Sequence, residues 1–527
     1  MNISDKPVLK ISALIVLLIS GLLCVYTVWN YKGNTSVSQN RSGFNNTFKD
    51  NRTQPPVGDG HKSNRPNMPN ASMGSNGPME AGHKQMGGAS AGSGLKYNTQ
   101  IIVYSTAFFI LFAAGCFAIS HKKMRINPEN AVILIWTFIG VGLFLRIAIA
   151  ALIEGHPSDL NLFKNWASTA SNNLLQVYSG SRSADYPPLY MYVLFLIGKI
   201  ASITAINPYY TLLLKLPSIA ADIITSILIY KLARKKLSLE LSMLLAAFYI
   251  FNPAVLINST IWGQVDSLFT LIIIAAVFML KEKKIGISSA LFAAAVMMKP
   301  QGIIFLPVLF FELVRLKKVK NFLKAAAIAL CTALIIILPF SINMGFTWIF
   351  KLYSGTVGEY PYASVNAFNF FSLIGKNYVK DSAAFLGLSY HNWGMLFIVL
   401  ITLFCWFIFI KGNSRKFAFA AALMLIAGVF TFSASMHERY LFPALALAIL
   451  AFIYIRDKRL LMLSAGFSCT IFLNTYYVLY ETLNGINAAP YTPTLIFTSL
   501  LNVVLFIYLI KILSDIAIRK KCIIKEE

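Results

Sequence analysis

Several absences narrow this chain before any motif does. Its six cysteines, Cys24, Cys116, Cys331, Cys405, Cys469 and Cys522, show no CxxC and no zinc-ligand spacing, so neither a disulfide framework nor a metal site is expected from them. No clear small-residue cleavage site follows the first apolar run, Ile11 to Trp29, which is therefore read as an uncleaved helix rather than a signal peptide. No internal repeat is evident. The stretch 31–98 has almost no aliphatic residues and is rich in Asn, Gly, Ser, Pro and Met. Such a segment cannot bury a core and is expected to be a disordered loop outside the cytoplasm. Its His61, Met68, Met73, Met79, His83 and Met86 are residue types that bind Cu(I), although a polar loop that happens to carry them is the plainer reading.

What remains is apolar. The chain has 527 residues, is 57% hydrophobic and contains repeated runs close to membrane thickness, which excludes a soluble globular protein. A formal charge of +25 would suggest a nucleic-acid partner in a soluble protein. Here the cations cluster at span ends, at 231–236, 281–284, 315–320 and 519–521, and read as cytoplasmic topology signals; no nucleic acid is expected.

About fourteen crossings can be drawn, most near the roughly 20 residues a spanning helix needs, with those at 285–299 and 302–315 short. They fall at 10–30, 100–120, 131–153, 212–233, 239–258, 263–281, 285–299, 302–315, 321–343, 392–411, 416–434, 441–455, 460–480 and 494–516. Placing every basic loop and both termini in the cytoplasm requires that 188–206 be interfacial or re-entrant. The expected fold is thus an all-α polytopic membrane protein. Its parts are an N-terminal helix (1–30), the polar loop (31–98), a second helix (99–125), the main membrane domain (126–516) and a basic cytoplasmic tail (517–527). Chemical groups then gather on the outer face, whereas the cytoplasmic loops are short and featureless.

The segment Glu154 to Pro188 is the richest in chemistry. A long apolar run stops at EGHPSDLNLFKNW, which holds the carboxylate of Asp159 at a membrane surface, with Glu154 and His156 beside it to orient it. Arg182 follows, and Asp185 and Tyr186 open DYPPLY. In NPAVLINSTIWGQVDS, Trp262, Gln264 and Asp266 fall at the outer start of a span, and positions 262 and 266 are expected on one helical face. Asp266 serves equally as a plain helix N-cap. In SASMHERYLFP, His437, Glu438, Arg439 and Tyr440 sit between two spans; Arg439 is the first choice for gripping a phosphate, and a Glu438 to Arg439 tether is the bland alternative. The turn Lys299-Pro300-Gln301 offers a second cation and an amide. In YPYASVNAFNFFSL, aromatics and the amides of Asn366 and Asn369 suit a sugar, and an interfacial aromatic belt accounts for them as well. Lys215 and Asp222, seven residues apart on one helix face, are either partners for other helices or an ion relay.

Together HPSDLNLFKNW, DYPPLY, KLPSIAAD, WGQVDS, MMKPQG, SVNAFNFF and HERYLFP resemble the GT-C superfamily of membrane glycosyltransferases over roughly residues 128 to 516. The likeness is nearest to bacterial mannosyltransferase-like proteins related to the enzyme that adds the second mannose of glycosylphosphatidylinositol anchors. That resemblance implies a GT-C-like helical bundle with Asp159 as the catalytic base on an outer loop. It implies a polyprenyl-phosphate-linked sugar as donor and a glycan, lipid or protein as acceptor, in a bacterial cytoplasmic membrane among its lipids. Arg439, Lys299, His437 and Arg182 would stabilise the donor phosphate. No cofactor is required; a divalent metal shared by Asp159 and Asp266 is permitted but not demanded. The competing class is a transporter or flippase of a lipid-linked glycan, which would need polar groups along the bilayer midplane.

Overall fold

The computed structural model describes residues 7–31, 97–122, 125–179, 184–345 and 347–520. The polar loop therefore lies almost wholly outside the described residues, as do Arg182 and Cys522. The described residues of the main body are predominantly helical; the strands among them form a two-stranded hairpin, Ala384–Phe385 with Leu388–Ser389.

The helices are α1 (Pro7–Trp29), α2 (Asn98–Ser120), α3 (Pro128–Leu152), α4 (Pro157–Asn172), α5 (Pro188–Ala201), α6 (Tyr210–Arg234), α7 (Leu239–Ile250), α8 (Asp266–Lys281) and α9 (Ile285–Met298). They continue with α10 (Leu306–Leu316), α11 (Val319–Ser341), α12 (Trp348–Gly358), α13 (Tyr390–Gly412), α14 (Ala418–Phe432), α15 (Pro443–Ile455), α16 (Lys458–Leu483) and α17 (Pro493–Ala517). Among the described residues ten helical segments are long and apolar enough to cross a membrane, and α5, α9 and α15 are shorter apolar helices. The all-α polytopic fold is as expected, but the fourteen drawn spans are not all full crossings. The span drawn at 263–281 is α8 with 16 residues, and that at 302–315 splits into a 3-10 turn, Pro300–Phe305, followed by α10.

The bundle has two chemically distinct ends. At one, Lys236 and Lys281 lie over the Tyr454 ring, Arg315 and Arg415 both bind Glu312, and Arg459 and Arg519 both bind Asp515. The opposite end gathers the acids and aromatics of the outer-loop motifs. Two shorter helices lie at that end. α4 is capped by His156, carries Pro157 in its first turn and buries Leu160, Phe163, Trp166, Ala167 and Ala170 along one stripe. α5, with 14 residues, is about 21 Å long at 1.5 Å per residue, short of a ~30 Å hydrocarbon core. It packs so closely on α4 that a Cβ at Gly198 would come within 2.3 Å of the Ala167 carbonyl.

A break in one span builds the site. Pro253 cannot continue α7, the Asn252 side chain caps the restart by accepting from Ala254 N (3.0 Å), and the chain then winds as a π-helix from Leu256 to Trp262. Gly263, at φ +90°, reverses the backbone before α8 begins. Trp262 and Asp266 are thus on different helices, correcting the expectation that they share a face. The wide π turn delivers them to one place nonetheless.

Candidate functional site

Two loops meet at the acidic end. Gly155 (φ +106°) brings the segment after α3 under the π-helix, where the His156 amide donates to the Trp262 carbonyl (3.2 Å). A Cβ at Gly155 would lie 2.7 Å from that carbonyl oxygen, so the approach is available to glycine alone. α6 braces both loops from below. Buried Lys215 donates to the Ile153 carbonyl (2.6 Å), and Ser218 donates to the Gln264 carbonyl (2.7 Å).

Asp159 is the centre of what this creates. Its Oδ2 accepts from Trp262 Nε1 (2.6 Å), Gln264 Nε2 (2.5 Å) and Arg439 Nη1 (3.4 Å), with His156 Nδ1 at 3.5 Å. Burial pushes this carboxyl up, but Arg439, His156, Trp262 and Gln264 together outweigh it and hold its pKa below the usual value. The Arg439 guanidinium stacks over the Trp262 ring at 4.9 Å, and the His156 ring lies parallel to the same indole at 5.3 Å. Arg439 Nε is also 2.9 Å from Glu438 Oε1, an ion pair without hydrogen-bond alignment. The bland Glu438 tether and the link to Asp159 are thus both present.

Beside this lies a second acid. Asp266 accepts from Lys299 Nζ (2.5 Å) and from Asn258 Nδ2 (3.0 Å), and the Lys299 ammonium faces the rings of Tyr186 (5.5 Å) and Tyr440 (5.9 Å). Asp266 makes no side-chain N-cap, so that alternative is set aside. Lys299 is 3% exposed and has its charge matched by Asp266, which corrects its reading as a free phosphate ligand. His437 is corrected too: burial, Arg439 and Lys299 push its pKa down to about 3, so it is neutral and brings no positive charge to a phosphate. Its ring is held edge-on by Tyr360 (4.6 Å). Glu438 moves the other way, its pKa raised chiefly by burial, and protonation there would release the Arg439 fork.

Other expected residues fall elsewhere. Asn366 donates to the Asn487 carbonyl (2.8 Å) and accepts from Ala489 N (2.8 Å); Asn369 caps the turn Phe370–Leu373 and donates to the Phe430 and Ser433 carbonyls (3.3 Å each). Their amides tie backbone together, so neither is disposed to bind sugar hydroxyls. Asp185 is exposed, on the rim of a cavity of about 510 Å³ with Trp348 and Glu359. Glu154 lies within electrostatic reach of Lys164. Gln301 is partly buried beside Lys299, and its Oε1 has no hydrogen-bond partner among the described residues; the same holds for Gln264 Oε1 and Asn258 Oδ1.

The intramembrane pair resolves into structure. Asp222 pairs with Arg146 of α3 (3.4 Å) and accepts from Ser259 (2.5 Å), while Arg146 also donates to the Ile250 carbonyl (2.6 Å). Arg146 was the missed partner, and a lone Arg inside an apolar run was the signal for it. Asn258, which holds Asp266, was signalled only by the polar run Asn258-Ser259-Thr260.

A family model described as GPI transamidase subunit PIG-U matches residues 160–358. Over that stretch, less than half of the chain, the sequence is similar to a family of multi-pass membrane proteins. The match takes in Trp262, Gln264, Asp266 and Lys299, begins one residue after Asp159 and leaves Glu438 and Arg439 outside. Its description names a transamidase subunit and no glycosyltransferase. No curated protein matches.

Proposed function

We propose that this protein is an inverting glycosyltransferase. It moves a hexose, with mannose favoured, from a polyprenyl-phosphate donor to an acceptor hydroxyl. The basic loops at the far end of the bundle support a cytoplasmic location for that end, and hence an outer-face site.

One observation carries this reading. Every partner of the Asp159 carboxylate lies on Oδ2, whereas Oδ1 has none among the described residues and the side chain keeps 28% of its exposure. One oxygen is anchored and the other is open to a substrate proton. In the proposed reaction the acceptor oxygen attacks the anomeric carbon and its proton passes to Asp159 Oδ1. The bond from that carbon to the phosphate oxygen breaks, and its electron pair leaves on the polyprenyl monophosphate. Arg439 stabilises that charge. A carboxylate held below its ordinary pKa is a weak base, which suits a proton that departs late, after the leaving bond has largely broken.

A second reading is favoured by the family match: a subunit of a GPI transamidase-like membrane complex. The test is transfer of radiolabelled sugar from polyprenyl-phosphate-mannose and polyprenyl-phosphate-glucose to membrane extracts, comparing wild type with Asp159→Asn. Transfer that disappears in a folded variant supports the enzyme. Full activity in the variant removes Asp159 as the base, and no transfer by folded wild type from either donor favours the subunit.

A further inference from the structure

A break inside a membrane span frees backbone groups that hydrocarbon cannot satisfy. At Asn252-Pro253 the Ala254 amide, which in an unbroken helix would bond the Ile250 carbonyl, goes to the Asn252 side chain instead (3.0 Å). Arg146 of α3 takes its place, with Nη2 donating to the Ile250 carbonyl at 2.6 Å. Its Nη1 reaches past the break to Thr260 (3.2 Å) and Ser259 (3.4 Å) of the π-helix. Asp222 of α6 completes the arrangement, lying 3.4 Å from Nη1 and accepting from Ser259 at 2.5 Å. One buried guanidinium thus joins the two sides of the break, with its counter-charge beside it.

A second rung lies two helical turns away. Ile153, at the end of α3, follows Arg146 by seven residues, and Lys215 precedes Asp222 by seven. The Lys215 bond to the Ile153 carbonyl therefore repeats the Arg146 to Asp222 contact about 10 Å along the same antiparallel pair of helices. The Lys215 stem also lies under Gly263, where a Cβ would be 3.5 Å from its Cε, and Ser218, one turn on, holds the Gln264 carbonyl. The π-helix is gripped at Ser259 and Thr260 by one rung, and the turn that ends it rests on the other. Trp262 and Gln264, which donate to Asp159 Oδ2, sit at that second end, and the loop to Asp159 leaves from Ile153.

We infer that Arg146, Asp222 and Lys215 are positioning residues of the Asp159 site: they fix where the π-helix ends against α3, and so where the Trp262 and Gln264 donors meet the carboxylate. The inference rests on the reading of Asp159 as the reacting carboxylate. A tie that only held α3 to α6 would need no more than the Arg146 to Asp222 pair. The bonds to Ile250, Ser259 and Thr260 go to a third segment, the one that carries the partners of Asp159. Arginine is required for this, because its planar fork spans several acceptors at once whereas an ammonium is a point charge. Arg146→Lys keeps the charge facing Asp222 and loses the grip on the break. Ser259→Ala with Thr260→Val does the reverse, leaving the pair intact and removing its hold on the π-helix.

The test uses the full chain in detergent with fluorotryptophan incorporated, the Trp262 fluorine resonance being identified by its loss in Trp262→Phe. Asp159→Asn is expected to move that resonance, because the carboxylate lies 2.6 Å from the indole nitrogen. In Arg146→Lys, and in the Ser259→Ala, Thr260→Val variant, Asp159→Asn is expected to move it by less than about half as much, the non-additivity that marks a lost contact. An equal movement in the folded variants and in wild type overturns the inference. This readout needs no sugar transfer, so it separates failure of the positioning from failure of the enzyme reading. Where transfer is measurable, both variants are expected to lose about tenfold in kcat with KM unchanged. The acid limb of their pH–rate profile moves to higher pH, since Asp159 loses donors that lower its pKa. A lowered melting temperature with kcat and the acid limb unmoved marks a structural tie alone and overturns the inference as well.

Discussion

Trp262 holds Asp159 across 103 residues of sequence, its indole N–H donating to the carboxylate at 2.6 Å while its own carbonyl accepts the His156 amide. The same ring carries the Arg439 guanidinium on its face. One side chain thereby sets the position of the proposed base, of the residue that caps its helix and of the cation beside it.

Trp262→Phe keeps the ring and removes the donor. A hydrogen bond to a charged group contributes about 1.5–3 kcal/mol, so transfer is expected to fall roughly 10- to 100-fold. Thermal unfolding in detergent should change little. A loss of folding equal to the loss of rate would show that the tryptophan serves packing instead.

The lowered pKa of Asp159 sets a pH dependence. A carboxyl depressed in the folded state contributes stability that is fully present above the unfolded value of about 3.9 and is lost as pH falls through the lower folded value. The base therefore stays ionised throughout the neutral range. Arg439→Gln removes the strongest of the groups that lower it, so the acid limb of kcat/KM is expected to move to higher pH. A pH–rate profile of the variant checks this, and an unmoved limb would separate Arg439 from Asp159 electrostatically.

Gly155→Ala places a methyl group 2.7 Å from the Trp262 carbonyl oxygen at a φ of +106°. Strain of this kind costs on the order of 1–3 kcal/mol, and the melting temperature should drop with activity. Gly355→Ala is the control, since a Cβ there meets nothing within 4 Å. It should leave both unchanged or slightly improved.

Asp266→Asn leaves Lys299 buried without its counter-charge. Breaking a buried pair in this way is expected to destabilise by roughly 3–5 kcal/mol. Replacing both, as Asp266→Leu with Lys299→Met, should recover most of that loss in a denaturation series. If stability returns and transfer does not, the pair acts on the substrate as well as on the fold.

How much was legible depends on the physics of each feature. The all-helical polytopic class was, because a 57% apolar chain punctuated by cationic clusters has few other solutions; the number of spans was not, ten helical segments among the described residues being long enough where fourteen were drawn. Charge parity asked for an interfacial or re-entrant segment at 188–206, and the structure has there a 14-residue apolar helix, α5. Asp159 stood out because a carboxylate one turn into an amphipathic helix, after a capping His and a Pro, is a local pattern. The role of Lys299 was not legible: Asp266, which neutralises it, lies 33 residues away, and only packing of α8 against α9 brings the charges together. Asn366 and Asn369 misled for a related reason, since an amide that binds a sugar and one that binds a backbone carbonyl look alike in sequence.

The sequence by itself determined the all-helical, polytopic class and which residue types gather at one end, because hydropathy, charge and capping act over one or two helical turns. The tertiary structure alone decided which of those residues meet. A π turn and two left-handed glycines bring Trp262 and Gln264 onto Asp159, and α6 fixes both loops through Lys215 and Ser218. Such contacts join groups far apart in the chain, and their energies depend on burial and distance, which no stretch of residues carries on its own.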